Sequence, residues 1–253
     1  MNLVFASGFL VPQGFPLIEY FRGVQAHLQG KHQTLFPGVP PLGTSDVRAR
    51  ALADAIDQKF PNGPIHIIAH SMAGMDSRIL IAANHHGLSN PGRIASLTTL
   101  STPHRGSPVA DLLAGPKPDG ARRIIYDGIS QAIGALGIPT GALADLTSHS
   151  AAQLPDVAAT HKHIRYRSYF GAGRTGLLPT CFALAATHHY IRAVTGKDND
   201  GLVALDSAQY GEFPQPFWRC DHADMVGHNL DTLDLGGFRF DHLAAIYDII
   251  SRL

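Results

Sequence analysis

Strand and helix signals alternate through the first hundred residues, and that alternation restricts the chain to a small set of architectures. "LVFA" at 3–6 has the character of a short buried strand, and from Pro16 onward Leu17, Phe21, Val24 and Leu28 share one helical face. "HQTLFPGV" predicts the next strand. Thr44, Ser45 and Asp46 then offer N-cap chemistry to a helix carrying Val47, Leu52, Ile56 and Phe60. "PNG" at 61–63 ends that helix. "IHIIAH" predicts a strand, "MAGMDSRILIAANHH" a helix and "RIASLTTLS" a further strand. The order β-α-β-α-β-α-β implies a mostly parallel sheet with helices on both faces.

The pattern changes between about 108 and 162. Gly- and Ala-rich helical pieces, "ARRIIYDGISQAIGALG" and "GALADLTSHSAAQL", interrupt the alternation before "HIRYRSYFGA" restores a strand. We expect one domain over 1–253, with 108–162 inserted above the sheet and an amphipathic closing helix built on Leu243, Ile246, Ile250 and Leu253. Twenty basic and twenty acidic side chains cancel, and no basic run could track a phosphate backbone. Nucleic acid is therefore not an expected partner. No apolar run approaches the ~18 residues that span a bilayer. The N-terminus lacks signal-peptide character, so the expectation is a cytoplasmic protein, or a secreted one if the chain is a processed form. Cys181 and Cys220 lie outside any C-x-x-C pair, leaving either a disulfide or two core thiols.

Ser71 stands where "IHIIAH" must turn into a helix. In parallel α/β sheets, reactive groups gather at the carboxyl ends of the strands. A serine flanked by small residues at such a turn has the outline of a nucleophile elbow, G-x-S-x-G, although both flanking positions are alanine here (Ala69 and Ala73), with Gly74 following. A serine N-capping an ordinary helix would look similar. A nucleophilic serine needs a histidine base oriented by a carboxylate, in the chain order serine, acid, histidine. "KDNDGLVALDS" offers Asp198, Asp200 and Asp206, and "CDHADMVGHN" offers Asp221, His222 and His228.

"AHSMAGMDSR", "STPHRGSPVAD", "NDGLV" and "DHADMV" resemble, in order, four signatures of the bacterial true lipases, the triacylglycerol lipases of the α/β-hydrolase superfamily. "PLIEYFRGVQAHLQGKHQ" and "RSYFGA" are similar to that family as well. The resemblance implies the α/β-hydrolase fold with a helical lid over 108–162. It implies Ser71 as nucleophile, Asp200 as acid and His222 as base. For the oxyanion it implies the N–H of Met72 and that of Phe9, with Leu10 as the neighbouring option, because the family's His-Gly pair is replaced by Ser7-Gly8.

By the same resemblance the chain is a carboxylic ester hydrolase acting through an acyl-enzyme on acylglycerols or other medium- or long-chain lipid esters, at a lipid–water interface or free, and as a monomer. An acyltransferase with the same acyl-enzyme, or a non-catalytic hydrolase-like binding protein, are the competing readings. No cofactor is required. Many family members hold calcium near the catalytic histidine, and Asp224 matches one ligand. The position expected for the second falls in "GLLPTCFALAATHH", which has no carboxylate, so the site is expected to be lost or weak. Ile124, Ile125, Ile129, Ile133 and Leu136 give the inserted helices an apolar face suited to a lid or to plain core packing.

Overall fold

The computed structural model describes residues 1–8, 19–41, 43–135, 140–174, 178–229 and 239–253. Five strands, β1 (Asn2–Ala6), β2 (Gln33–Leu35), β3 (Ile65–His70), β4 (Ile94–Leu100) and β5 (Arg165–Tyr169), pair in parallel in the order β2-β1-β3-β4-β5. Register places Leu35, Val4, Ile67, Leu97 and Tyr166 side by side across the sheet. This row faces one hydrophobic core, together with α2 (Ser45–Lys59) and α3 (Ala73–Ala83). The intervening positions Leu3, Phe5, Ile68 and Tyr169 face the other core, against α1 (Val24–Leu28) and a closing helix over 242–251. Such two-sided burial is why the strands are continuous apolar runs rather than alternating ones. Each fully buried Leu, Ile or Phe contributes roughly 1.5–3 kcal/mol.

One helical expectation is corrected. The helix that carries Val24 and Leu28 begins at Val24, and residues 19–23 before it are not helical: Gly23 has φ +73°, a left-handed conformation that an α-helix does not accept, while Pro16 lies outside the described residues. Phe21 is nonetheless buried in the core, while Leu17 lies outside the described residues. Thr44 caps α2 as expected, its Oγ1 accepting from the Val47 N–H. Val47 itself is exposed, because the buried stripe of α2 runs through Arg48, Ala49, Leu52, Ala53 and Ile56.

Between β4 and β5 stand α4 (Pro108–Ala114), α5 (Ala121–Ala135), a 3-10 segment (Thr140–Leu146), α6 (Ser148–Ala152) and α7 (Val157–Thr160). The predicted apolar stripe of α5 divides: Ile129 and Ile133 are buried, whereas Ile124 and Ile125 are 77% and 52% exposed. Leu136 lies outside the described residues. After β5 come α8 (Phe182–Thr195), α9 (Leu205–Ala208) and α10 (His242–Ser251). Cys181 and Cys220 are both buried free thiols. Among the described residues no helix is long and apolar enough to cross a membrane.

Candidate active site

The chain crosses from one side of β1 to the other between β2 and β3, so the loops leaving β1 and β3 flank the point where strand order reverses. Crevices at such points are the usual ligand sites of open α/β sheets. Gly8 ends the described part of the first loop, and Ser71 begins the second. Ser71 has φ +58°, a left-handed backbone that is costly for a residue with a side chain. The surroundings hold it there: its N–H donates to the Leu100 carbonyl at 2.9 Å, and its own carbonyl accepts from Thr102 Oγ1 at 2.7 Å. The missing side chain of Gly74 lets α3 approach, since a Cβ there would collide with the Thr102 side chain. Gly74 thus serves where the motif's final glycine is replaced by Ala73.

His222 reaches the same crevice from the loop before a 3-10 turn at Asp224–Val226. Its Nδ1 donates to Asp200 Oδ2 at 2.7 Å, and both side chains are fully buried. Asp200 Oδ1 accepts from the N–H groups of Leu202 and Val203 at 2.9 and 2.8 Å, which fixes the carboxylate and supports its charge. With Nδ1 occupied, Nε2 is the atom left to exchange a proton, and it is buried without a hydrogen-bond partner. Ser71 and His222 line one cavity of about 40 Å³ with Pro103, Val109, Leu143 and Leu146. That is room for a water or so, far below the ~300 Å³ or more of an ordinary ligand pocket.

The other candidates have different partners. Asp198 is exposed and pairs with Arg192, Asp206 is exposed, and His228 Nε2 bonds the Tyr20 carbonyl at 2.9 Å. Asp221 is pushed up to about 6 by burial and by the Asp224 carboxylate beside it. Met72 is buried at the start of α3, so its N–H belongs to the positive end of that helix. Phe9 and Leu10 lie outside the described residues.

Three side chains support these residues. His70 is buried, shares a 2.7 Å hydrogen bond between Nδ1 and the Tyr20 hydroxyl, and packs its ring 4.5 Å from that of His222. Burial, reinforced by His222, holds His70 well below the usual histidine range, so it is neutral. Arg48 crosses from α2 to donate from Nη2 to the Ser7 carbonyl at 2.7 Å, and from Nε to Asp76 Oδ2 at 2.8 Å. Burial pushes Asp76 up to about 7 despite that guanidinium. A charged residue on the buried stripe of α2 was the sequence signal for this pair. His104, from "PHRGS", is buried with Nε2 3.0 Å from Thr99 Oγ1, bracing the loop after β4.

No family model matches the chain. It is 30% identical over 220 residues to triacylglycerol lipase 2 of Saccharomyces cerevisiae, covering 83% of this chain and 62% of that one. It is 25% identical over 240 residues to a triacylglycerol lipase of Vibrio cholerae, covering 83% and 74%. The chain is similar in sequence to triacylglycerol lipases. It spans under two thirds of the yeast relative's length. The fold agrees with the Staphylococcus hyicus lipase (TM-score 0.67, 21% identity, 99% of this chain and 94% of that one). It also agrees with a metagenomic carboxyl esterase (TM-score 0.73, 18% identity, 100% and 75%).

The surroundings of Asp224 bear on the calcium that the resemblance raises. The calcium that the resemblance implies does not fit: Arg174 donates from Nε to Asp224 Oδ2 at 2.9 Å and from Nη2 to Asp224 Oδ1 at 2.8 Å. The same Nη2 lies 3.2 Å from Asp221 Oδ2. Both carboxylates are thus already engaged by a guanidinium where a dication would need free oxygens. Among the described residues no cluster of three or more His, Cys, Asp or Glu side chains could hold a metal ion.

Proposed function

We propose that the chain is a carboxylic ester hydrolase that works through an acyl-enzyme on Ser71. The observation that carries the reading is the buried 2.7 Å bond from His222 Nδ1 to Asp200, which leaves Nε2 bare in the cavity that Ser71 also lines. In this mechanism Nε2 takes the Ser71 proton as Oγ attacks the ester carbonyl. Asp200 holds the ring in the needed tautomer and stabilises the imidazolium. Collapse of the tetrahedral intermediate expels the alcohol, which receives the proton from Nε2. Water, activated by the same nitrogen, then releases the acyl group as carboxylate and restores the serine. The oxyanion is met by the Met72 N–H and by one from the loop after β1, assigned to Phe9; one such donor contributes about 3–4 kcal/mol to the transition state. The self-contained proton circuit of Ser71, His222 and Asp200 is what supports a reaction that needs no organic cofactor.

The substrate class follows from the walls. Ile133, Leu143 and Leu146, all from the segment between β4 and β5, close over Ser71 and leave a cavity too small for an acyl chain. We assign that segment as a lid that moves before an apolar acyl group enters, which favours lipid esters over small polar ones. The relatives' names support the same class.

The test is the hydrolysis of p-nitrophenyl esters from acetate to palmitate by wild type and Ser71→Ala, with phosphonate labelling followed by peptide mapping. Loss of activity in the variant together with a covalent adduct on Ser71 supports the reading. Undiminished hydrolysis by the variant, or an adduct elsewhere than Ser71, refutes the assignment of the nucleophile; a wild type with neither hydrolysis nor adduct refutes the reading and favours a binding protein.

A further inference from the structure

Asp221 and Asp224 stand on either side of His222 in the chain, and both side chains are buried. Two carboxylates so placed repel, and in a low-dielectric interior they need a positive partner and hydrogen bonds to remain folded. The backbone supplies the bonds. Asp221 Oδ1 accepts from the N–H of Ala223 and of Asp224, both at 3.0 Å, and Oδ2 accepts from the Cys181 N–H at 2.7 Å. Asp224 Oδ2 accepts from the Asp221 N–H at 3.0 Å. Arg174 supplies the positive charge, and its planar fork reaches both residues at once. Three segments are thereby tied together: the stretch after β5, the start of α8 at Cys181, and the loop that carries His222.

We propose that Arg174 is a positioning residue, an internal counter-ion that holds the His222 loop against Asp200 in the role a divalent cation plays elsewhere in the family. The proposal rests on the assignment of His222 as base. The arginine side chain stands where an exchangeable ion would be, and the brace is therefore fixed in the covalent chain. It does not respond to chelators.

The experiment compares wild type, Arg174→Ala and Arg174→Lys, each in EDTA and in calcium chloride, by p-nitrophenyl butyrate kinetics and by thermal melting. Wild type should show the same kcat and Tm in both buffers. Arg174→Ala should lose about tenfold or more in kcat, with KM changed less than about twofold, because the base is displaced rather than the acyl site. Its Tm should fall by about 5 °C or more. Calcium should restore part of both losses by bridging the bared carboxylates, and Arg174→Lys should fall between the two proteins.

A wild type that loses activity or Tm in EDTA and recovers in calcium overturns the proposal. So does an Arg174→Ala protein with wild-type kcat and Tm in EDTA, or one that does not respond to calcium. If Arg174→Ala fails to fold, the lysine variant and the wild-type comparison still decide. Melting does not depend on the chemistry at Ser71, so a failed active-site assignment and a failed brace give different results.

Discussion

A Cβ on Gly8 would stand 2.8 Å from Cβ of Ser71 and 3.1 Å from the His70 carbonyl. The loop after β1 therefore lies directly on Ser71, the proposed nucleophile, and any side chain there must push one of the two aside. Gly8→Ala should lower kcat/KM by about a hundredfold, the scale set by displacing a reacting group by an ångström. It should cost only about 1–3 kcal/mol of stability, as overpacking does. Kinetics beside urea denaturation checks both; a fully active variant would mean that the contact is soft.

Asp200 and Asp198 sit two residues apart with opposite surroundings. Asp200 is buried on His222 and two backbone amides, while Asp198 meets Arg192 at the exposed surface. Asp200→Asn should reduce kcat by roughly 10³–10⁴, because the amide favours the wrong tautomer of His222. Asp198→Asn should change it by less than about twofold and stability by under about 1 kcal/mol. Steady-state rates on one soluble ester separate the two.

His104 is buried and held well below the usual histidine range by burial and then by Arg78 and Arg105. Its folded pKa lies below the unfolded value, so it contributes stability above about pH 6.5 that is lost as pH falls, by up to about 1.4 kcal/mol per pH unit. Asp76 works the other way. Its carboxyl, pushed up to about 7, favours the fold when protonated, and that contribution is lost as pH rises through 7. His104→Asn should therefore flatten the decline in unfolding free energy between pH 7 and pH 5, and Asp76→Asn should remove an opposing decline that runs as pH rises from about 4, the ordinary carboxylate value, to about 7. Urea unfolding across that range reads both slopes.

Ile124 and Ile125 face outward on α5, while Ile129 and Ile133 of the same helix pack inward. If the helix meets lipid during turnover, each exposed isoleucine contributes up to roughly 1.5–3 kcal/mol of contact. Ile124→Asp with Ile125→Asp should weaken hydrolysis of emulsified tributyrin by about tenfold or more while leaving soluble p-nitrophenyl acetate within about twofold. Equal loss on both substrates would place the effect in folding.

The sheet and the candidate site residues that the fold brings together were legible because each depends on local pattern: apolar runs separated by caps, and short motifs that carry Ser71, Asp200 and His222 in one order. What stayed hidden depends on distance in sequence. Nothing near Arg174 indicates two aspartates after the next helix, and nothing near Tyr20 points to His70. Arg48 on the buried stripe of α2 has its partner Asp76 on α3, a pairing that no local pattern around Arg48 indicates. The start of α1 was misplaced because a left-handed glycine outweighs the apolar spacing before it.

Ser71 follows the third strand, Asp200 and His222 follow the fifth, and Gly8 follows the first. No single strand–helix unit holds the proposed proton circuit, because Ser71 is separated from Asp200 and His222 by two further strands and the helices between them. Refolding followed by circular dichroism should therefore run ahead of refolding followed by ester turnover, with catalysis as the clock for the final docking of the loop at His222.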